Sequence, residues 1–314
     1  MAEVRQPRGT AVALRDPLPW PDFAGATRLA EELGYAGVFL PEIAGRDALA
    51  ALTGLAGETA EMLLGTGVVP MTARTPHLTA MGAATVHERS GGRAILGLGT
   101  GPAVPGALDR LRDLVGEVRA LLAGEEAGGA RLSMSGLSPV PIWIAALGPR
   151  ALRTAGEVAD GVLLNWCPPE RVAQARRAVR EAAEASGRDP DRIAVAVYVR
   201  ANLGGGEGED DDGLEVLRRA AGEYASYPSY ARQFSAVGLG EEAAAAARAH
   251  SSGRTREVPE ALVRAVALVG APEAARERLD AYRIAGADLR VVYPVIGGAE
   301  PARELAATLR ALAP

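Results

Sequence analysis

LLGTGVVP (residues 63–70), AILGLGTGP (94–102) and PIWIAALGP (141–149) decide the fold. In each, a short run rich in Leu, Ile or Val meets glycine, and a residue suited to opening a helix follows. An apolar run without alternation suits a parallel strand covered on both faces. Glycine at the carboxyl end lets the backbone approach a ligand where a Cβ would block it. Several such ends gathered on one face describe the active-site rim of an α/β barrel.

Working outward, strands are expected at 10–14, 37–40, 63–69, 94–99, 141–146, 161–165, 193–201 and 289–292. Helical patterns lie between them. Asp47 is placed to cap one helix, and Thr75 followed by Pro76 to open another. Eight strands with interposed helices predict an α/β fold, a (β/α)8 TIM barrel spanning 1–314 as a single domain. A long excursion at 204–269 separates the seventh strand from the eighth. It starts as an acidic glycine-rich loop and continues as Ala/Arg-rich helices, expected to cover the pocket.

Bulk properties narrow the function. The 314 residues are 48% hydrophobic and 23% charged, ordinary for a globular protein. A formal net charge of −5 argues against a nucleic-acid partner. Every basic residue other than histidine is Arg, which reads as base-composition bias. Cys167 is the only cysteine, so neither a disulfide framework nor a thiolate cluster is expected. The spacing of His77, His87 and His250 suggests no metal site. No run of about 18 apolar residues occurs, and the N-terminal stretch lacks an apolar signal core. A cytoplasmic protein without membrane association is expected.

GYAGVFLPEIAGRDA, LGTGVVPMTARTPHLTAMGAATVHERSGGRAILGLGTG and PVPIWIAALGPRALRTAGEVADGVLLNW resemble the luciferase-like monooxygenase superfamily. Within it they resemble the branch that uses the deazaflavin coenzyme F420, in the same order from about 11 to 295. The resemblance implies a barrel, an enzyme, and hydride transfer between reduced deazaflavin and a small organic substrate. It also implies a non-proline cis peptide at or near Gly67–Val68, forming a bulge behind the cofactor's central ring. A homodimer is common in the family.

The candidate residues follow. Gly148 and Pro149 open a helix, so the amides of Arg150 and its successors form an anion site for a phosphate. Ala145, Ala146 and Leu147 lead into that turn. Gly99 and Thr100 end the fourth strand, where bare backbone and a hydroxyl suit a ribityl chain. The G-x-G-x-x-G nicotinamide fingerprint is absent, because Val104 stands where its third glycine would fall. Leu40 and Pro41 resemble the segment beside the ring. Glu42 is a candidate to orient the ring edge or relay a proton, and a salt bridge to Arg46 or helix-entry chemistry is the plainer reading. His77 is a second candidate proton donor. Asn165 and Trp166 close the sixth strand, where the indole stacks on a ring or simply packs. Tyr224, Tyr227 and Tyr230 either wall the pocket or pack the excursion, with Pro228 interrupting any continuous helix. Arg74 and Arg150 are the basic residues available to an acidic cofactor tail.

One departure from the branch stands out: GTGPAVPGALDRL reaches its helix after only a few residues. Three functions remain open on sequence. The first is an F420-dependent oxidoreductase, in which the cofactor carries the difficult chemistry. The second is an FMN-dependent monooxygenase on the same barrel. The third is a barrel that binds a ligand without turnover.

Overall fold

The computed structural model describes residues 7–15, 18–101, 104–203 and 210–314, with backbone only at 210–212. The acidic run at 204–209 and part of the short loop after Gly101 lie outside the described residues. Among the described residues ten strands form one parallel sheet: β1 (Gly9–Ala13), β2 (Gly37–Leu40), β3 (Leu63–Thr66), β4 (Val69–Pro70), β5 (Ala94–Gly99), β6 (Ile142–Ala145), β7 (Gly161–Asn165), β8 (Ala194–Ala201), β9 (Ala267–Leu268) and β10 (Leu289–Pro294). The ring runs β1-β2-β3-β5-β6-β7-β8-β10, and β10 pairs with both β8 and β1 to close it. This is the eight-stranded TIM barrel expected from sequence. One strand differs: the run at 63–69 is broken into β3 and β4 around a cis Gly67–Val68 peptide.

The barrel helices are α1 (Trp20–Glu32), α2 (Ala48–Leu55), α3 (Pro76–Arg89), α4 (Ala107–Leu122), α5 (Pro149–Val158) and α6 (Pro169–Ala185). Between β8 and β10 come α7 (Asp210–Ala225), α8 (Pro228–Ala236), α9 (Gly240–Ser251) and α10 (Glu260–Val266), then α11 (Pro272–Ile284); α12 (Pro301–Ala311) follows β10. The expected caps form: the Asp47 carboxylate accepts from Ala50 N at 2.9 Å, and Thr75 Oγ1 accepts from Leu78 N at 3.2 Å. No helix among the described residues is long and apolar enough to cross a membrane.

Strand alternation sorts the core into layers. Ala11, Phe39, Ile95, Trp143, Leu163, Ala196 and Val291 fill the barrel interior. Their neighbours Val12, Val38, Leu96, Ile144, Val162 and Val197 pack outward against the helices. The excursion has its own core, in which Leu217, Phe234, Leu262 and Val266 gather with Trp166 of the barrel rim.

The sequence reading gives glycines at the strand ends to a ligand; those inside the strands serve the barrel's own packing. A Cβ at Gly65 would collide with the Phe39 ring, which stacks on Trp143 at 5.6 Å between centroids. One at Gly97 would collide with the Thr66 carbonyl. Thr66 Oγ1 is also locked there, donating to Gly97 O and accepting from Gly97 N, both at 2.8 Å. Gly116 is exposed in α4, and a Cβ there would have open space, with nothing within 4 Å.

Two outcomes follow from this packing. Gly97→Ala is expected to destabilise by about 3 kcal/mol or more, whereas Gly116→Ala stabilises by about 0.5–1 kcal/mol; urea unfolding of the pair measures both. The Cys167 thiol, fully buried and pushed up to about 12 by that burial, stays protonated at pH 8. Iodoacetamide should therefore leave the folded chain unlabelled and react only in denaturant; rapid labelling of the native protein would contradict it.

Candidate functional site

The mouth of the barrel is built on Tyr198. It follows Ala194 and Ala196 on the inward face of β8, and its hydroxyl crosses the barrel to donate to Gly67 O at 3.0 Å. Burial raises the phenol well above its ordinary pKa, Tyr293 adds to this and Arg200 opposes it, so the hydroxyl remains a donor. A Cβ at residue 67 would collide with that oxygen. Gly67 N donates to Leu40 O at 2.8 Å and Glu42 N to Val68 O at 3.2 Å, so the end of β2 braces the bulge.

Three strand ends converge beside it. A Cβ at Gly99 would lie 2.7 Å from Val68 Cγ2 and 3.8 Å from Ala145 Cβ. Val68, Gly99 and Ala145 thus form one small-residue wall, and Val68 and Ala145 are only half-buried. Pro41 is half-buried at the end of β2. Leu40 and Ala146 differ from their neighbours: both side chains join the core between barrel and helices, so they offer backbone rather than side chain. Thr100 Oγ1 donates to Gly101 O at 3.1 Å.

Glu42 is tied down. Its Oε1 accepts from Arg74 Nε and its Oε2 from Arg74 Nη2, both at 3.0 Å, and Oε2 also accepts from Ala48 N at 3.0 Å. The ion pair expected with Arg46 is made with Arg74 instead, because the loop after β4 turns back over β2. Arg46 donates to Leu18 O and lies over the Phe23 ring at 4.9 Å. Arg74 also pairs with Asp47 and is therefore not available to a cofactor tail. Burial pushes the Asp47 carboxyl up, but Arg74 and the Ala50 amide outweigh it and hold it below its usual value. His77, in the first turn of α3, is half-buried, and its Nδ1 is buried without a hydrogen-bond partner.

The expected anion turn is present as geometry. Gly148 caps α5, and the first intrahelical bond runs from Leu152 N to Gly148 O at 3.0 Å, leaving the Arg150 and Ala151 amides ahead of it. Gly148, Pro149 and Arg150 are exposed, and nothing lies within 4 Å of a Cβ at residue 148. Sequence reasoning missed Arg171. It is 8% exposed, donates from Nη2 to Leu147 O at 2.7 Å and from Nη1 to Gln174 Oε1 at 3.1 Å, and its Nε is buried without a partner. In the sequence it looks like any other arginine of the Arg-rich helix α6.

The opposite side of the mouth is aromatic and cationic. Trp166 is fully buried with φ at 49°, and Gln233 Nε2 of α8 donates to the carbonyls of Asn165 and Trp166 at 2.9 and 2.8 Å. Asn165 Nδ2 donates to the Tyr230 hydroxyl at 2.7 Å, and Arg200 Nη1 donates to Asn165 Oδ1 at 2.8 Å. Tyr224 packs on Trp166 and Tyr230, with centroids 5.1 and 4.9 Å away, while Tyr227 is exposed. Two of the three tyrosines therefore fasten the excursion to the rim. Pro228 opens α8 rather than continuing α7.

Known proteins share this architecture. The luciferase-like monooxygenase family model matches residues 5–289. The chain is 35% identical over 190 residues to a 5,10-methylenetetrahydromethanopterin reductase of Methanolobus tindarius, covering 54% of this chain and 58% of that protein. It thus spans little more than half the length of that relative. It is 29% identical over 332 aligned positions to a putative coenzyme F420-dependent oxidoreductase of Mycobacterium tuberculosis, covering 88% of this chain and 91% of that one. Among solved structures, the F420-dependent tetrahydromethanopterin reductase of Methanopyrus kandleri superposes with a TM-score of 0.74 at 20% identity, covering 98% of each chain. That likeness concerns the fold. The chain belongs to the luciferase-like monooxygenase family.

Proposed function

We propose that this chain is an F420-dependent oxidoreductase that transfers hydride between the deazaflavin's C5 and a small organic substrate. One observation carries the reading: the small wall of Val68, Gly99 and Ala145 stands on the same rim as an exposed helix-opening turn backed by Arg171. The wall suits a flat tricyclic group, and the turn suits its phosphate. The unpartnered Nε of Arg171, buried behind the turn, fits a site built for negative charge. Relatives named as F420-dependent lend the same support. The whole chain is read as one domain, with α7–α10 covering the rim.

When bound, the deazaflavin supplies or accepts the hydride. The protein's own residues bind, orient and exclude water. Tyr198 fixes the height of the bulge at Gly67–Val68 through its hydrogen bond. The Arg150 and Ala151 amides hold the phosphate, and Gln233 and Tyr230 keep the excursion closed over the aromatic side. Both oxygens of Glu42 accept from Arg74, which makes Glu42 a positioning residue for the loop after β4. His77, half-buried in the first turn of α3, is the candidate for the proton that accompanies the hydride.

An FMN-dependent monooxygenase is the second reading, favoured by the family model and by a phosphate turn that either cofactor would use. Titration of the protein with reduced F420 and reduced FMN separates the two, and tighter binding of FMN would reverse the order. Gly148→Val should fold normally, since its backbone is extended and the space is open, yet bind F420 at least about tenfold more weakly. Unchanged affinity would remove the phosphate from this turn. His77→Gln should lower kcat by about a hundredfold or more with the F420 dissociation constant unmoved; full turnover in that variant would remove His77 from the proton transfer.

A further inference from the structure

Arg200 is a buried cation for which the described residues supply no counter-charge. It is 4% exposed, and its one hydrogen bond goes to a neutral amide, Asn165 Oδ1 at 2.8 Å. Its guanidinium carbon lies 3.8 Å from the Tyr293 ring centroid, 5.1 Å from that of Trp166, and 5.6 Å from those of Tyr198 and Tyr224. Three partly buried arginines do have carboxylates: Arg74 has Glu42 and Asp47, Arg176 has Asp288, and Arg290 has Asp280. Aromatic faces attract a cation but carry no net charge to balance it, and an unbalanced buried charge is costly.

Its position is the mouth of the barrel. Ala194, Ala196 and Tyr198 line the interior along β8, and Arg200 takes the next inward step beyond the tyrosine floor. The network around it holds the amide in place: Asn165 gives its Nδ2 to the Tyr230 hydroxyl, which turns Oδ1 towards Arg200. A second donor nearby is also unanswered, because Trp166 Nε1 is buried without a partner. A cation whose acceptor among the described residues is a neutral amide, beside an indole N–H without an acceptor, both walled by rings, describes a receptor for an anion with a flat or apolar body.

We propose that Arg200 binds the carboxylate of the substrate, so that the natural substrate is a small organic acid. This deepens the function proposed above and rests on the barrel mouth being its substrate pocket, but anion binding itself is read without any cofactor. Asn165 is then a selectivity device: an aspartate there would neutralise Arg200 from within and close the site to outside anions.

Benzoate and its uncharged analogue benzamide, titrated at constant ionic strength into the cofactor-free protein, test this through tryptophan emission, to which Trp166 contributes beside Trp20 and Trp143. Benzoate should give a saturable change, with benzamide at least tenfold weaker. Asn165→Asp should melt at or above the wild-type temperature and bind benzoate at least tenfold more weakly, and Arg200→Gln should lose benzoate binding as well. Equal binding of benzoate and benzamide, no saturable benzoate effect, or wild-type affinity in either variant would overturn the proposal. F420 titrations run in parallel keep the two readings apart. Benzoate binding without F420 binding refutes the cofactor and leaves the carboxylate site standing; the reverse result refutes the carboxylate site alone.

Discussion

A single hydrogen bond across the barrel, from the Tyr198 hydroxyl to Gly67 O, sets the geometry on which the mouth depends. It requires three things at once. Residue 67 must lack a Cβ, the phenol must stay protonated, and β8 must present residue 198 inward. The last condition is set by barrel closure, because Tyr198 pairs with Val291 in the β8–β10 ladder that completes the ring. Without the hydroxyl, a carbonyl buried at the bulge would lose its partner, at a cost of about 1–3 kcal/mol. The bulge, the Val68 wall beside it and the bracing backbone of β2 all take their height from this contact.

A comparable lock holds the excursion. Trp166 leaves β7 with a positive φ, a conformation that costs a non-glycine residue of order 1–3 kcal/mol. Gln233 offsets that cost by donating to the carbonyls on both sides of the turn, while Tyr230 holds the Asn165 side chain. Helix α8 is therefore fastened to the strand end rather than merely resting on it. Trp166 belongs to the excursion's core as much as to the barrel, which makes the rim and its cover one packed body on that side.

Much of this is legible in the sequence because it is local. The apolar run at 94–99 forms β5 with those bounds, and Thr75 and Asp47 cap the helices their side chains suit. What escapes is nonlocal. Tyr198 meets Gly67 across 131 positions, Arg74 meets Glu42 across 32, and Gln233 meets Trp166 across 67. A glycine in a strand looks the same whether it admits a ligand or a neighbouring ring, so the packing roles of Gly65 and Gly97 carry no signal of their own. In a chain with arginine and no lysine, Arg171 and Arg200 also carry no compositional signal.

The arginines at the rim sort themselves by what surrounds them. Arg74 sits between two carboxylates, so that cluster carries no positive charge outward. Arg171 and Arg200 are more deeply buried and meet only carbonyls, amides and rings. In a chain with net charge −5, two buried cations on one rim that no carboxylate among the described residues balances make a local field opposite to the molecule's own. Arg171 lies behind the α5 turn and Arg200 lies on β8, with the small wall of Val68, Gly99 and Ala145 contributed by other strands of the same ring. A ligand that satisfies both needs negative charge in two places, and the simplest division is a phosphate-bearing cofactor at one and an acidic substrate at the other. The protein then selects its ligands by charge it leaves unbalanced, and holds that imbalance in place with the hydrogen bonds of Tyr198, Asn165 and Gln233.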